Sequence, residues 1–113
     1  MFHAIVRILI PSKKRKESFE ILNAYARRAR IEPGCISSRV YQDTDDGMIM
    51  FEELWKTEGD LERHLRSEDY RKVLLVIEMA SEPPEIRIGE ISALAGFEVI
   101  EKARSKSPRD RIS

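Results

Sequence analysis

The hydrophobic periodicity of this chain switches between two residues and about 3.6 residues, in an order that few folds accommodate. Residues 2–10 alternate with a period of two, and their even positions form one unbroken apolar face, which is typical of a β-strand. A proline ends this strand, and Ser12 then offers a side chain that can cap a helix. Apolar residues recur at helical spacing up to the Pro33-Gly34 pair, so we expect a long first helix over residues 13–31.

The rest of the chain continues the same alternation of strands and helices. Residues 35–44 and 48–56 flank an Asp-Asp-Gly turn and predict an antiparallel hairpin. A capping box at residues 57–60 predicts a short helix, and Ser67 begins another before a Pro-Pro pair. Residues 85–91 alternate again as a fourth strand. The order βαββαβ predicts an α+β, ferredoxin-like fold, in which two helices cover one face of a four-stranded antiparallel sheet.

Length and charge predict one folded domain without a nucleic-acid or membrane partner. The 113 residues are 42% hydrophobic, which supplies one modest core. We expect a domain over residues 1–96, followed at residues 97–113 by a short helix and a flexible tail. The 20 basic side chains balance 20 acidic ones, so no overall field attracts nucleic acid or an anionic membrane.

The cysteine content and the start of the chain indicate a cytoplasmic protein. Cys35 is the only cysteine and forms no internal disulfide, which suits a reducing compartment. The first residues place apolar side chains before charged ones, opposite to a secretory signal, and no apolar run has membrane-spanning length. The basic run at residues 13–16 is interpreted as a solvated turn. Anion binding is the alternative, because a helix N-terminus disfavours cations.

The second face of the predicted sheet is too apolar for a chain that stands alone. Helices of one chain cover only one side of such a sheet, and the other side should then be polar. Instead Ile5 and Leu9 lie on the outer face of the first strand, and Met48, Met50 and Leu54 lie on one face of the third. Monomers rarely expose large apolar patches. We therefore expect a homodimer that packs through this sheet face.

Three segments of the chain carry a family resemblance. They read EPGCISSRVYQD at residues 32–43, FEELWKTEGDLERHLRSEDYR at residues 51–71 and SEPPEIRIGEI at residues 81–91. Together they resemble the antibiotic biosynthesis monooxygenase family over residues 3–91. The resemblance implies a dimeric α/β barrel, with two chains packed sheet on sheet. Its characterised members include cofactor-free oxygenases of polycyclic aromatic phenols, quinol monooxygenases and haem-degrading enzymes.

The same resemblance argues against haem. Haem-degrading relatives use an axial His in the last helix, an Asn on the first strand and a Trp in the short helix. Those positions hold Leu74, Val6 and His64 here, so the proximal side of a haem lacks a ligand. His3 and His64 fall on opposite sides of the predicted sheet and form no recognisable metal site. We expect neither a cofactor nor a metal ion.

His64 and Glu53 are the candidate catalytic residues. His64 leans toward the space between helices and sheet, where its imidazole could take a phenolic proton and leave an anion that reacts with dioxygen. Glu53 and Trp55 point to one side of the third strand, which by the resemblance faces the helices, and a carboxylate there needs a partner. Glu53 could orient His64 or pair with an arginine. His64 could also be a half-buried side chain that only packs.

Three aromatic residues, Phe51, Trp55 and Tyr70, could form the walls of a slot for a flat substrate. The other interpretation of these side chains is ordinary core packing. The chain is therefore predicted to be a cofactor-independent monooxygenase acting on a small aromatic phenol or quinol, with His64 as the base. The alternative is a non-catalytic dimeric member of the same family, which binds a small hydrophobic ligand or has a structural role.

Overall fold

A computed structural model of the chain describes residues 1–105 and confirms the predicted βαββαβ order. The elements in chain order are β1 (Phe2–Leu9), a 3₁₀ turn (Ser12–Lys14), α1 (Arg15–Ala29), β2 (Cys35–Gln42), β3 (Met48–Trp55), α2 (Glu58–Leu65), α3 (Arg71–Glu78), β4 (Glu85–Glu90) and α4 (Phe97–Ser105). The second α of the βαββαβ order, between β3 and β4, consists of two helices, α2 and α3.

The four strands form one antiparallel sheet in the order β2-β3-β1-β4. Strand β1 is central, and its residue Val6 lies opposite Phe51 of β3 on one side and Ile86 of β4 on the other. Because residues paired across antiparallel strands share one sheet face, these three side chains point toward the helices. The topology is that of the predicted ferredoxin-like α+β fold.

The core lies between the sheet and α1, because each of them presents an apolar face at its own period. The odd positions of β3 are buried and the even positions are half-buried. Helix α1 buries Leu22, Tyr25 and Ala29, which lie on one side of the helix. The main cluster of buried side chains consists of Val6, Ile8, Ile10, Leu22, Tyr25, Ala29, Ile49, Phe51, Val73 and Val76.

The start of α1 differs from the prediction. Ser12 was expected to cap the helix, but it lies in the 3₁₀ turn, and α1 begins at Arg15 without a side-chain cap. The backbone explains the difference, because the amide of Lys14 donates to the carbonyl of Pro11 over 2.8 Å and closes the turn first. The guanidinium of Arg15 then donates to the carbonyl of Ile10 over 2.8 Å and fixes the junction to β1.

Helix α2 begins as the sequence indicates. The hydroxyl of Thr57 accepts a hydrogen bond from the amide of Asp60 over 3.1 Å, which satisfies one of the free donors of the first turn. Ser67 was the predicted start of the next helix, but α3 begins only at Arg71. Ser67 instead caps a separate turn, in which the amide of Tyr70 donates to the Ser67 hydroxyl over 3.3 Å. This turn places Tyr70 between the two helices.

The C-terminal helix α4 follows β4 and is exposed along its whole length. The flexible tail predicted from the sequence lies beyond residue 105 and therefore outside the described residues. None of the helices in residues 1–105 combines the length and the apolar character needed to cross a membrane.

Candidate active site

Glu53 lies on the face of β3 that meets the helices, between Phe51 and Trp55, and its side chain is 0% exposed. A buried carboxylate is costly unless donors surround it. The hydroxyl of Tyr25 on α1 donates to its two oxygens over 3.1 and 3.0 Å, and the hydroxyl of Ser38 on β2 donates to Oε2 over 3.0 Å. Glu53 is thus held from a helix and from a neighbouring strand.

A β-bulge brings Ser38 to this position. The pairing of β2 with β3 shifts by one residue between Cys35 and Ser37, so that Ile36 is the extra residue. Continued without the bulge, the register would place Ser37 opposite Glu53, whereas the observed register places Ser38 there. The bulge therefore decides which serine supplies the buried carboxylate with a hydrogen bond.

His64 projects from α2 into the same space and is also 0% exposed. Its Nδ1 lies 2.8 Å from Oε2 of Glu32, in the connection between α1 and β2. Its Nε2 hydrogen-bonds to the hydroxyl oxygen of Tyr25 and lies 3.3 Å from Oε2 of Glu53. The imidazole is therefore enclosed between two carboxylates. Of the two carboxylates, Glu32 is 29% exposed and therefore reaches solvent, whereas Glu53 does not.

The surroundings set the protonation states of this cluster. Burial lowers the pKa of His64, but hydrogen bonds and charge from Glu53 and then Glu32 outweigh it, so that the pKa lies above the ordinary value of 6.5. Burial, followed by the charge of Glu53, raises the pKa of Tyr25 above its ordinary range and that of Tyr70 to about 12. Both tyrosines therefore keep their protons at neutral pH.

The predicted aromatic walls do surround the imidazole, with one difference. The ring centroids of Trp55 and His64 are 4.4 Å apart with a tilt of 32°, and Tyr70 meets His64 edge-on at 5.7 Å. Phe51 contacts Tyr25 at 5.9 Å and reaches the imidazole only through it. The indole Nε1 of Trp55 is buried and has no hydrogen-bond partner in the part of the chain that is described.

The side chains of this cluster fill the space between α2 and the sheet. Phe51, Glu53, Trp55 and His64 are all fully buried, and only Tyr70 is half-buried. Surface cavities of about 190 and 280 Å³ lie elsewhere, on the outer sheet face, and one of about 380 Å³ lies beside the bulge of β2. The conformation observed is thus a closed one.

Three members of the cluster were missed by sequence reasoning. Tyr25 lies at a helical apolar position that indicates only core packing, and the available signal was that a buried phenol needs a hydrogen-bond partner. The position of Ser38 opposite Glu53 depends on the β-bulge, which no pattern in the sequence predicts. Glu32 lies in an irregular connection, where no periodicity indicates the direction of a side chain. Within residues 1–105, no group of three or more His, Cys, Asp or Glu is arranged to hold a metal ion.

Fold and site together define a ferredoxin-like α+β protein with an imidazole buried between acids under its helices. The sequence model of the antibiotic biosynthesis monooxygenase family matches residues 1–74, and the chain belongs to this family.

Several known proteins are similar to this chain. An uncharacterised protein of Synechocystis is 29% identical over 87 residues, and the match covers 75% of this chain but only 59% of the relative. The structure resembles a candidate antibiotic biosynthesis monooxygenase from Nitrosomonas europaea with a TM-score of 0.74 and 21% identity, covering 82% of this chain and 100% of the other. A Mycobacterium tuberculosis protein gives a TM-score of 0.75 and 23% identity, with coverages of 84% and 98%. At such identities, the structural likeness supports the fold alone.

Proposed function

We propose that this protein is a cofactor-independent monooxygenase that acts on a small aromatic phenol or quinol, with His64 as the base. The observation that carries the proposal is the buried imidazole of His64, held between Glu53 and Glu32 and stacked on Trp55. Such an arrangement provides a proton acceptor of tuned basicity next to a flat apolar wall. Family membership supports the reaction class.

The hydrogen bonds of the two ring nitrogens of His64 determine how a proton can be transferred to it. In the neutral ring with its proton on Nδ1, Nδ1–H donates to Glu32, and the lone pair of Nε2 accepts the hydroxyl proton of Tyr25 until that proton turns to Glu53. A phenol that enters beside Tyr25 meets this same lone pair and transfers its proton to it. Glu53 lies 3.3 Å from Nε2 and stabilises the imidazolium that forms. The resulting phenolate is electron-rich and reacts with dioxygen: one oxygen atom enters the ring, and oxidation of the ring to a quinone supplies the electrons that reduce the other atom to water.

Access to the closed site requires α2 to move. This helix of 8 residues buries only Leu61 and His64, so few apolar contacts hold it against the sheet. Elements with few buried contacts open at low free-energy cost. The half-buried Tyr70 marks the side on which the opening leads to solvent. We propose that the substrate enters there and stacks on Trp55, with Phe51 as the deeper wall.

The buried indole of Trp55 adds a preference within this substrate class. Its Nε1–H lies next to the imidazole and finds no acceptor among the described residues. An unsatisfied buried donor is costly, and a substrate oxygen that accepts from it removes this cost. The proposal therefore favours a ring that carries a second oxygen besides the ionising hydroxyl, as a quinol does.

A second candidate function is a non-catalytic role, in which the family fold binds a small hydrophobic ligand or acts only through its dimer. The observation that favours it is the closure of the site, because His64 and Glu53 are 0% exposed and the aromatic rings contact one another. In that case, the same residues serve as packing.

Dioxygen consumption distinguishes the two functions. The purified chain is incubated without added metal or flavin with a panel of naphthoquinols and polycyclic phenols. We expect turnover in the wild type and a loss of about 100-fold or more in His64→Gln. The matched control is His3→Gln, because His3 pairs with Glu52 on the opposite sheet face, 2.8 Å away. Equal background rates in all three proteins would favour the non-catalytic role.

We also propose that two copies pack through the outer sheet face, in the cytoplasm, where Cys35 stays reduced. Ile5, Met50 and Leu54 lie on this face and are half-buried in the single chain. Polar side chains of this face meet partners within the chain, with His3 2.8 Å from Glu52 and Arg7 3.7 Å from Glu85. A face of apolar side chains and neutralised charges suits an interface between identical copies.

A further inference from the structure

We propose that Glu32 and His64 form a proton relay, in which Glu32 is the positioning residue that holds the imidazole and exchanges its proton with solvent. This inference rests on the proposed role of His64 as base. No motif of the sequence singled out Glu32, and its position becomes visible only in the structure. The relay consists of two side chains in series, with the phenol on one side of the ring and water on the other.

The solvent exposure of the side chains around His64 indicates that the proton passes from the ring to Glu32 and then to water. His64 and Glu53 are 0% exposed, whereas the side chain of Glu32 is 29% exposed. The Nδ1 of His64 is 2.8 Å from Glu32, a hydrogen-bond distance that allows transfer. On the other side of the ring, Nε2 meets Tyr25 and Glu53, which are both buried. A proton that leaves the ring for water therefore leaves through Glu32.

The connection that carries Glu32 is tied to α2 and not only to the sheet. The guanidinium of Arg63 on α2 donates to the carbonyl of Pro33 over 3.1 Å and to Asp60 over 2.7 Å. Gly34 follows with a φ of 87°, and a Cβ at this position would overlap the side chain of Asp60. The loop and the start of α2 are therefore in close contact. The amide of Glu32 also donates to the carbonyl of Ala29 on α1 over 3.0 Å, so this loop bridges α1 and α2.

The proton balance of the relay closes over one turnover. The phenol O–H bond breaks and an N–H bond forms at Nε2 of His64, while the N–H bond at Nδ1 breaks and an O–H bond forms on Glu32. Glu32 then releases this proton to water. Later, the oxygen atom that leaves as water takes the proton from Nε2, and Nδ1 regains one from water through Glu32. No electrons pass through the relay, because dioxygen is the oxidant of the proposed reaction.

The titration of His64 depends on a defined set of neighbours. Two carboxylates face His64, Glu53 from β3 and Glu32 from the loop after α1. Two phenols also face it, Tyr25 from α1 and Tyr70 from the turn before α3. The thiol of Cys35 lies near the site, at the start of β2. Burial raises the pKa of Cys35 to about 11 and keeps it neutral, and both tyrosines are neutral as well. Glu53 and Glu32 are thus the charges that act on His64.

The test is an NMR titration of the histidine side chains in the full chain, in wild type, Glu32→Gln and Glu62→Gln. Glu62 is the matched control, because it is an exposed glutamate on α2. We expect the His64 midpoint to fall by about one pH unit or more in Glu32→Gln, because a charge next to the ring is removed. Exchange of its ring proton with water should slow by about tenfold, since the route to solvent has lost its acceptor. The control should match the wild type.

Glu32→Asp separates the relay from a merely structural contact. It keeps the carboxylate, so partial recovery of the midpoint and of proton exchange is expected, whereas Glu32→Gln keeps the side-chain shape without the charge. Wild-type titration and exchange in Glu32→Gln would overturn the relay. The titration uses no substrate. If the titration shows the relay but the chain consumes no dioxygen, only the proposed function is refuted. If the chain turns over substrate with the same pH profile in wild type and Glu32→Gln, only the relay is refuted.

Discussion

Replacement of Tyr25 by phenylalanine tests whether one hydroxyl holds the buried cluster together. The change removes a single oxygen atom and keeps the ring, which contacts Phe51 and Tyr70 edge-on at 5.9 and 6.1 Å. The lost hydroxyl donates to both oxygens of Glu53 over 3.0 and 3.1 Å and hydrogen-bonds to His64. The perturbation is therefore electrostatic and leaves the packing in place.

The magnitude follows from the burial of Glu53. A hydrogen bond to a charged group contributes about 1.5–3 kcal/mol, and a buried group that loses its donor costs about 1–3 kcal/mol. Ser38 still donates to Glu53 at 3.0 Å and His64 remains at 3.3 Å, so part of the loss is compensated. We expect Tyr25→Phe to lower the free energy of unfolding by about 2–3 kcal/mol. For a domain of this size, the thermal midpoint should fall by about 8–12 °C.

The assay is urea unfolding followed by circular dichroism, at one fixed protein concentration because a dimer makes stability concentration-dependent. Ser12→Ala is the control, since the hydroxyl of Ser12 is exposed in the 3₁₀ turn and makes no capping hydrogen bond, and its loss should change the stability by less than about 0.5 kcal/mol. If Tyr25→Phe were as stable as the control, with an unchanged dependence on urea, the cluster would not depend on this hydroxyl and the reasoning above would be wrong.

Three further predictions concern pH, the loop and the dimer. The pKa of His64 is raised in the folded state above its ordinary value of 6.5, so protonated His64 stabilises the fold, fully so below that value. The free energy of unfolding should therefore fall as pH rises through the folded-state pKa, and urea midpoints between about pH 6 and pH 9 measure this. In Glu32→Gln the slope should be shallower. Gly34→Ala should cost about 1–3 kcal/mol in urea unfolding, because its φ of 87° disfavours a side chain and the Cβ overlaps Asp60. Wild type should show the mass of two chains in light scattering and Met50→Lys that of one, and a monomeric wild type would refute the sheet interface.

The sequence was sufficient for the fold because strands and helices follow from residue periodicity. The alternation of β3 placed Glu53 and Trp55 on one side of the strand, and in the structure both are buried on the side that faces the helices. The predicted inward direction of His64 on the helix after β3 is confirmed as well, because its side chain is buried together with Leu61 of the same helix. These inferences need only the direction of a side chain within a regular element.

The partners of those side chains could not be predicted in the same way. Ser38 faces Glu53 only because the bulge at Ile36 shifts the register by one residue, and one residue reverses the face of a strand. Glu32 reaches His64 from a connection whose path depends on Gly34 and on its contact with α2. Both cases depend on irregular backbone, for which the sequence offers no period to read.

The composition of the cluster is itself an argument about its purpose. A buried group that contains two carboxylates and one imidazole is a weak way to stabilise a fold, because the desolvation of the charges offsets much of their attraction. Apolar side chains of similar volume would fill the space under α2 at least as well. A proton-transfer site, in contrast, needs such groups in contact, shielded from water and connected to it at one point. Glu32 is the solvent-exposed carboxylate of this group, and its contact with His64 is the reason for which we propose His64 as a base.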